Sequence, residues 1–125
     1  MTIFKKIVFV IDDDQDFCLY LKLILEANGM DVKCYFTISE AEQSIEISSP
    51  DVIILDMEFK DDHGIKFLKK RKLNPRLAEI PVVVCSTQDL AVVIKAAFNF
   101  GANDYILKPL NQSILMNKIK KCLKI

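Results

Sequence analysis

Short apolar runs alternate with segments of helical periodicity from one end of the chain to the other. The runs Ile7 to Ile11, Val32 to Phe36, Val52 to Leu55, Val82 to Cys85 and Tyr105 to Leu107 are rich in β-branched and aromatic residues. Such runs suit strands buried on both faces of a sheet. After the first of them, Phe17, Leu21, Ile24, Leu25 and Asn28 repeat at i, i+4, i+7 and i+8, which predicts a helix capped by Asp14 and ended by Gly29. Ser39 with Glu42 forms a candidate capping box for a short second helix. A third is expected over His63 to Leu73, stopping before Asn74-Pro75, and a fourth over Asp89 to Phe100, ended by Gly101. A last helix, capped by Asn111 or Ser113, turns Ile114, Leu115, Ile119 and Cys122 inward. It ends among Lys118, Lys120, Lys121 and Lys124, whose charges complement the helix dipole. Five βα units of this kind predict an α/β fold with a doubly wound parallel sheet.

Composition narrows the class without naming an activity. A chain of 125 residues, 51% apolar, suits one domain spanning 1-125, with no linker, repeat or low-complexity stretch. Seventeen basic residues balance seventeen acidic ones, so charge provides no attraction to nucleic acid or to an anionic membrane. Proteins are the expected partners. Cys18, Cys34, Cys85 and Cys122 are scattered among apolar residues without a CxxC pair, as expected of reduced thiols in the cytoplasm. The first residues lack a signal-peptide layout, and no apolar run approaches the ~20 residues that cross a bilayer.

Four of the apolar runs end in residues suited to phosphate or metal chemistry: Asp12-Asp13, Asp56, Ser86 and Lys108. In a parallel α/β sheet, ligands bind beyond the carboxyl ends of the strands, so these groups are expected on one rim. Each has a structural explanation of its own. The aspartates suit helix caps and turns, and a lysine before Pro109 suits a solvated loop. Together they suit transfer of a phosphoryl group to a carboxylate. Clustered carboxylates repel one another and favour a hard cation such as Mg²⁺, while an ammonium and a hydroxyl stabilise phosphoryl oxygens. That chemistry is mostly positioning and needs no histidine base, so His63 is read as an exposed loop residue.

These motifs resemble the receiver domain of bacterial two-component response regulators, including the chemotaxis type, over nearly the whole chain. The matching residues are Asp12-Asp13, Val52-Ile53-Ile54-Leu55-Asp56 with Gly64 eight residues later, Pro81 to Ser86, and Gly101 to Pro109. The resemblance implies a flavodoxin-like (βα)5 sandwich with strand order 2-1-3-4-5. It implies that Asp56 is the phosphoacceptor, supplied by a sensor histidine kinase or a histidine phosphotransfer protein. Mg²⁺ would be held by Asp13, Asp56 and the backbone carbonyl of Glu58, with Asp12 acting through water. Lys108 would stabilise charge at the phosphoryl group, and the Lys108-Pro109 bond would be cis. Ser86, rather than Thr87, takes the switch position, and Tyr105 turns into the space that Ser86 leaves on moving inward. A downstream protein target, or a second copy in a homodimer, is expected on the face of the fourth helix, fifth strand and fifth helix.

Departures from the family pattern lie around the acceptor. Lys60 replaces a proline common in receivers, leaving the loop less restricted, and Glu58 and Gln88 occupy positions that influence phosphoryl lifetime. Glu58 either slows an anionic donor or strengthens metal binding. On a helical wheel, Val93, Phe100, Ala97, Leu90, Ile94 and Phe98 span roughly 160°, which predicts a generous core stripe on the fourth helix rather than a binding surface. Two other classes share part of this pattern. A haloacid-dehalogenase-type phosphatase also uses an aspartyl phosphate, but its acidic pair comes after its nucleophile, whereas here the pair comes first. A flavodoxin-like cofactor binder would need a glycine-rich phosphate loop, and the chain holds three glycines in all. The expectation is a stand-alone phosphoacceptor that catalyses only its own phosphorylation and dephosphorylation.

Overall fold

A computed structural model describes residues 4–59 and 64–125. Five strands alternate with helices in the order β1 (Ile7–Ile11), α1 (Gln15–Ala27), β2 (Asp31–Tyr35), α2 (Ile38–Ile47), β3 (Val52–Leu55), α3 (Gly64–Leu73), α4 (Pro75–Ala78), β4 (Val82–Ser86), α5 (Ala91–Asn99), β5 (Asp104–Leu107) and α6 (Gln112–Leu123). All pairings are parallel, and the sheet order is β2-β1-β3-β4-β5. This is the expected doubly wound order.

Alternation along the strands divides the core into two layers. Val8 and Val10, Val52 and Ile54, and Val83 and Cys85 pack with α1 and α6 through Leu21, Leu25, Leu115 and Ile119. Phe9 and Ile11, Ile53 and Leu55, and Val82 and Val84 face the other way, onto Ile38, Ala41 and Ile45 of α2 and Phe67 and Leu68 of α3. All four cysteines are free thiols; Cys18 and Cys85 are buried in the first layer, and Cys34 and Cys122 pack against it.

Helix boundaries follow capping chemistry, and three features of the helices differ from expectation, two of them boundaries. Asp14 caps α1 by accepting from the Phe17 N–H, Asn111 caps α6, and Gly29 and Gly101 follow their helices with φ of 83° and 99°. The second helix starts at Thr37, not Ser39, because the Thr37 hydroxyl accepts from the Glu40 N–H. Asn74-Pro75 starts a short helix as well as closing α3. Its Asn74 side chain accepts from the Arg76 N–H, and Pro75 occupies a first-turn position where its missing donor costs nothing.

The third difference is α5, the fourth helix of the sequence reading, where the expected core stripe is absent. Only Ala97 is buried; Val93, Ile94 and Phe100 are half-buried, and Leu90, Val92 and Phe98 are exposed. The helix lies with one narrow edge on the sheet, so most of its apolar arc faces outward. Leu107 of β5 and Ile114 of α6 are exposed as well.

Candidate functional site

The parallel register places the polar strand ends together. Ile11 pairs with Leu55, Leu55 with Val84, and Ser86 with Leu107, so Asp12, Asp56, Ser86 and Lys108 lie side by side across β1, β3, β4 and β5. Backbone bonds fix this rim: the N–H groups of Asp12, Asp56 and Lys108 donate to the carbonyls of Tyr35, Ile11 and Ser86. Each functional side chain therefore leaves a backbone held on the end of the sheet ladder.

One carboxylate oxygen from each of Asp12, Asp13 and Asp56 lies within 4.8 Å of the others. Asp12 and Asp56 are buried, while Asp13 is exposed at the mouth. Three convergent carboxylates, one open to solvent, are the donor set a hard divalent cation requires, and the site fits Mg²⁺ on that chemistry. The backbone of Glu58 lies beside the set, since its N–H donates to Asp56 Oδ1 at 3.2 Å. Gly64 presses on the same loop from α3: a Cβ there would lie 2.7 Å from the Asp56 carbonyl oxygen and 2.9 Å from Met57 Cα.

Lys108 crosses the pocket. Its Nζ donates to Asp12 Oδ2 at 2.8 Å, lies 3.9 Å from Asp56 Oδ1, and sits 4.2 Å from the centre of the Phe17 ring. The sequence pattern placed Phe17 only in a helix stripe; its second use as a cation–π platform depends on tertiary placement. The peptide bond between Lys108 and Pro109 is cis. Burial alone would lower the Lys108 pKa, but its bond to Asp12 and the charges of Asp12 and Asp56 raise it.

Burial raises the Asp12 carboxyl despite its bonds to Lys108 and to the Asp14 N–H. Burial first, and the Asp12 charge second, push Asp56 up to about 6. An aspartate in an unfolded chain titrates near ~3.9. The folded state thus holds this proton more tightly, and the associated stability is complete below about pH 4 and lost as pH rises through about 6. At pH 7.5 the ionised carboxylate costs the metal-free fold roughly 3 kcal/mol. Asp56→Asn is accordingly expected to raise the unfolding temperature in EDTA by about 12 °C at pH 7.5 and by little at pH 4.5, as read by thermal melts.

The switch candidates form a second chain of contacts. Ser86, fully buried, donates to Glu58 Oε1 at 2.9 Å and accepts from the Gln88 N–H at 3.1 Å. Thr87 donates to the same Glu58 oxygen at 2.5 Å. Tyr105 is already packed inside, with its hydroxyl donating to the Gln88 carbonyl at 2.8 Å. Lys60 and His63 lie outside the described residues.

Residues 8–120 match the family described as the response regulator receiver domain. The transcriptional regulatory protein CrdR of Helicobacter pylori is 29% identical over 117 residues, which cover 94% of this chain and 54% of that protein. The KDP operon transcriptional regulatory protein KdpE of Escherichia coli is also 29% identical over 117 residues, covering 94% and 51%. The chain spans about half the length of these curated relatives. Among solved structures, a putative response regulator from Chloroflexus aurantiacus superposes with a TM-score of 0.92 at 27% identity, covering 98% of this chain and 100% of that one. A two-component response regulator from Clostridium difficile gives 0.89 at 31% identity, covering 96% and 97%.

Proposed function

The chain belongs to the response regulator receiver family, a family of signalling modules, and on that premise we propose that Asp56 accepts a phosphoryl group from a phosphohistidine. The observation that carries this reading is the convergence of three carboxylate oxygens within 4.8 Å beside the ammonium of Lys108. An Asp56 oxygen attacks phosphorus, the bond from phosphorus to the histidine nitrogen breaks, and its electron pair stays on the imidazole. No general base is required, because the attacking group is already an anion. Asp13, Asp56 and the Glu58 carbonyl would hold Mg²⁺ directly, with Asp12 beside them. When bound, such an ion would offset negative charge at the acceptor.

The residues around it divide the remaining work. Lys108 lies within reach of both Asp12 and Asp56 and neutralises charge at the acceptor. Ser86 supplies a hydroxyl to a phosphoryl oxygen, and Tyr105, bonded to the Gln88 carbonyl, reports the change towards α5. Exposed Leu90, Val92 and Phe98 of α5, with Leu107 and Ile114, make the surface that a downstream protein or a second copy meets. Phosphorylation shifts the population of conformations at this surface, because the added charge contacts one of them better.

The test is incubation with Mg²⁺ and acetyl phosphate, followed by intact-mass measurement. One phosphoryl adduct per chain is expected. Steady turnover of a foreign phosphomonoester without an adduct would instead point to phosphatase chemistry. In parallel, Mg²⁺ with beryllofluoride is expected to move the amide signals of Tyr105 and α5, and unmoved signals there would remove the output role of that face.

A further inference from the structure

Glu58 departs from a simple place at the mouth of the pocket, because its side chain is committed to both hydroxyls at the end of β4. A serine hydroxyl has one proton to donate. Ser86 gives that proton to Glu58 and accepts from Gln88, so in this state it has none for a phosphoryl oxygen. Thr87 is committed to the same carboxylate oxygen. We propose that Glu58 is a positioning residue that withholds the Ser86 and Thr87 hydroxyls from Asp56 until phosphorylation displaces its carboxylate. The inference rests on the reading of Asp56 as phosphoacceptor.

Two observations support it. Glu58 sits two residues from Asp56 with its own N–H on the Asp56 carboxylate, so a phosphoryl group there confronts a second anion at close range. Glu58 is also exposed on its outer side and lines an apolar groove of about 620 Å³ with Met57, Phe59, Gln88, Val92 and Val93, which gives a displaced side chain somewhere to go. Release of Ser86 alters its bond to Gln88, whose carbonyl anchors Tyr105. The contact thus joins the acceptor loop to the switch residues through one carboxylate.

Two mechanisms make different predictions for Glu58→Ala. If Glu58 only repels an anionic donor, removing it speeds phosphorylation by acetyl phosphate equally in any background. If it withholds hydroxyls, the gain requires Ser86 and Thr87. We expect Glu58→Ala at saturating Mg²⁺ to phosphorylate about tenfold faster than wild type, the size of one freed charge-assisted hydrogen bond. In a Ser86→Ala/Thr87→Ala background the same change is expected to give less than a twofold gain. A second readout leaves the variant free of metal and donor: the Thr87 and Gln88 amide signals of metal-free Glu58→Ala should move along the line joining free wild type to wild type with Mg²⁺ and beryllofluoride. An equal gain in both backgrounds, or unmoved Thr87 and Gln88 signals, overturns the proposal while leaving Asp56 as acceptor. Wild type that gains no adduct overturns both.

Discussion

Asp56→Asn is expected to gain no phosphoryl group under conditions that give wild type one adduct per chain. The amide has the shape of the carboxylate but lacks its nucleophilic charge, so the pocket persists without an acceptor. The neighbouring carboxylates are poor substitutes. Asp12 is engaged by Lys108 through one oxygen and by the Asp14 N–H through the other, and Asp13 stands at the exposed mouth. The loss should be at least a thousandfold in rate, on the order seen when a nucleophile is removed from a preorganised site. Peptide mapping of the wild-type adduct checks the assignment, and an adduct on Asp12 or Asp13 would sink it.

Arg71→Met is expected to cost the fold roughly 3 kcal/mol, although Arg71 lies away from the pocket and no sequence motif marks it. Its side chain is buried at 5% exposure on α3. Its Nε and Nη2 donate to the Ile80 carbonyl at 2.8 and 2.6 Å, Nη1 to Gly101, and Nη2 also to the Ala78 carbonyl and Asn103 Oδ1. Asn103 Oδ1 in turn accepts from the Val82 N–H at the start of β4. One guanidinium thus joins α3 to the turns that lead into β4 and β5. Methionine fills part of the space and leaves several carbonyls without donors, each a cost of about 1–3 kcal/mol where water cannot reach. Some of that is offset because a buried charge is removed as well. Urea unfolding should show a lower midpoint with an unchanged slope, and an unchanged midpoint would mean that the carbonyls find other partners.

What could be read from the sequence divides along a physical line. Buried parallel strands are apolar to their last residue, so the step to Asp12, Asp56, Ser86 or Lys108 marks each strand end, and the sheet then places all four on one rim. Caps next to a strong breaker, such as Asp14 before α1 and Gly29 after it, are equally local. The rest depends on contacts between distant segments. Thr37 and Ser39 are both chemically able to cap α2, and backbone geometry decides for Thr37. The wheel of α5 shows which residues share a face but not how much of that face the sheet can cover. The partners of Arg71 lie as far as 32 positions away, and Glu58 meets Ser86 across 28. In each of these cases the residue type permits the contact, and only the fold supplies the partner.

The contact at Gly64 has a directional consequence. With room there for no more than a hydrogen atom, α3 acts as a backstop behind the peptide that carries Asp56. On the proposed phosphorylation of Asp56, that peptide would have no room to recoil towards α3. The response to the added group is then expected outward, through the loop that holds Glu58 and along the end of β4. The smallest residue of the site would thereby give that response its direction.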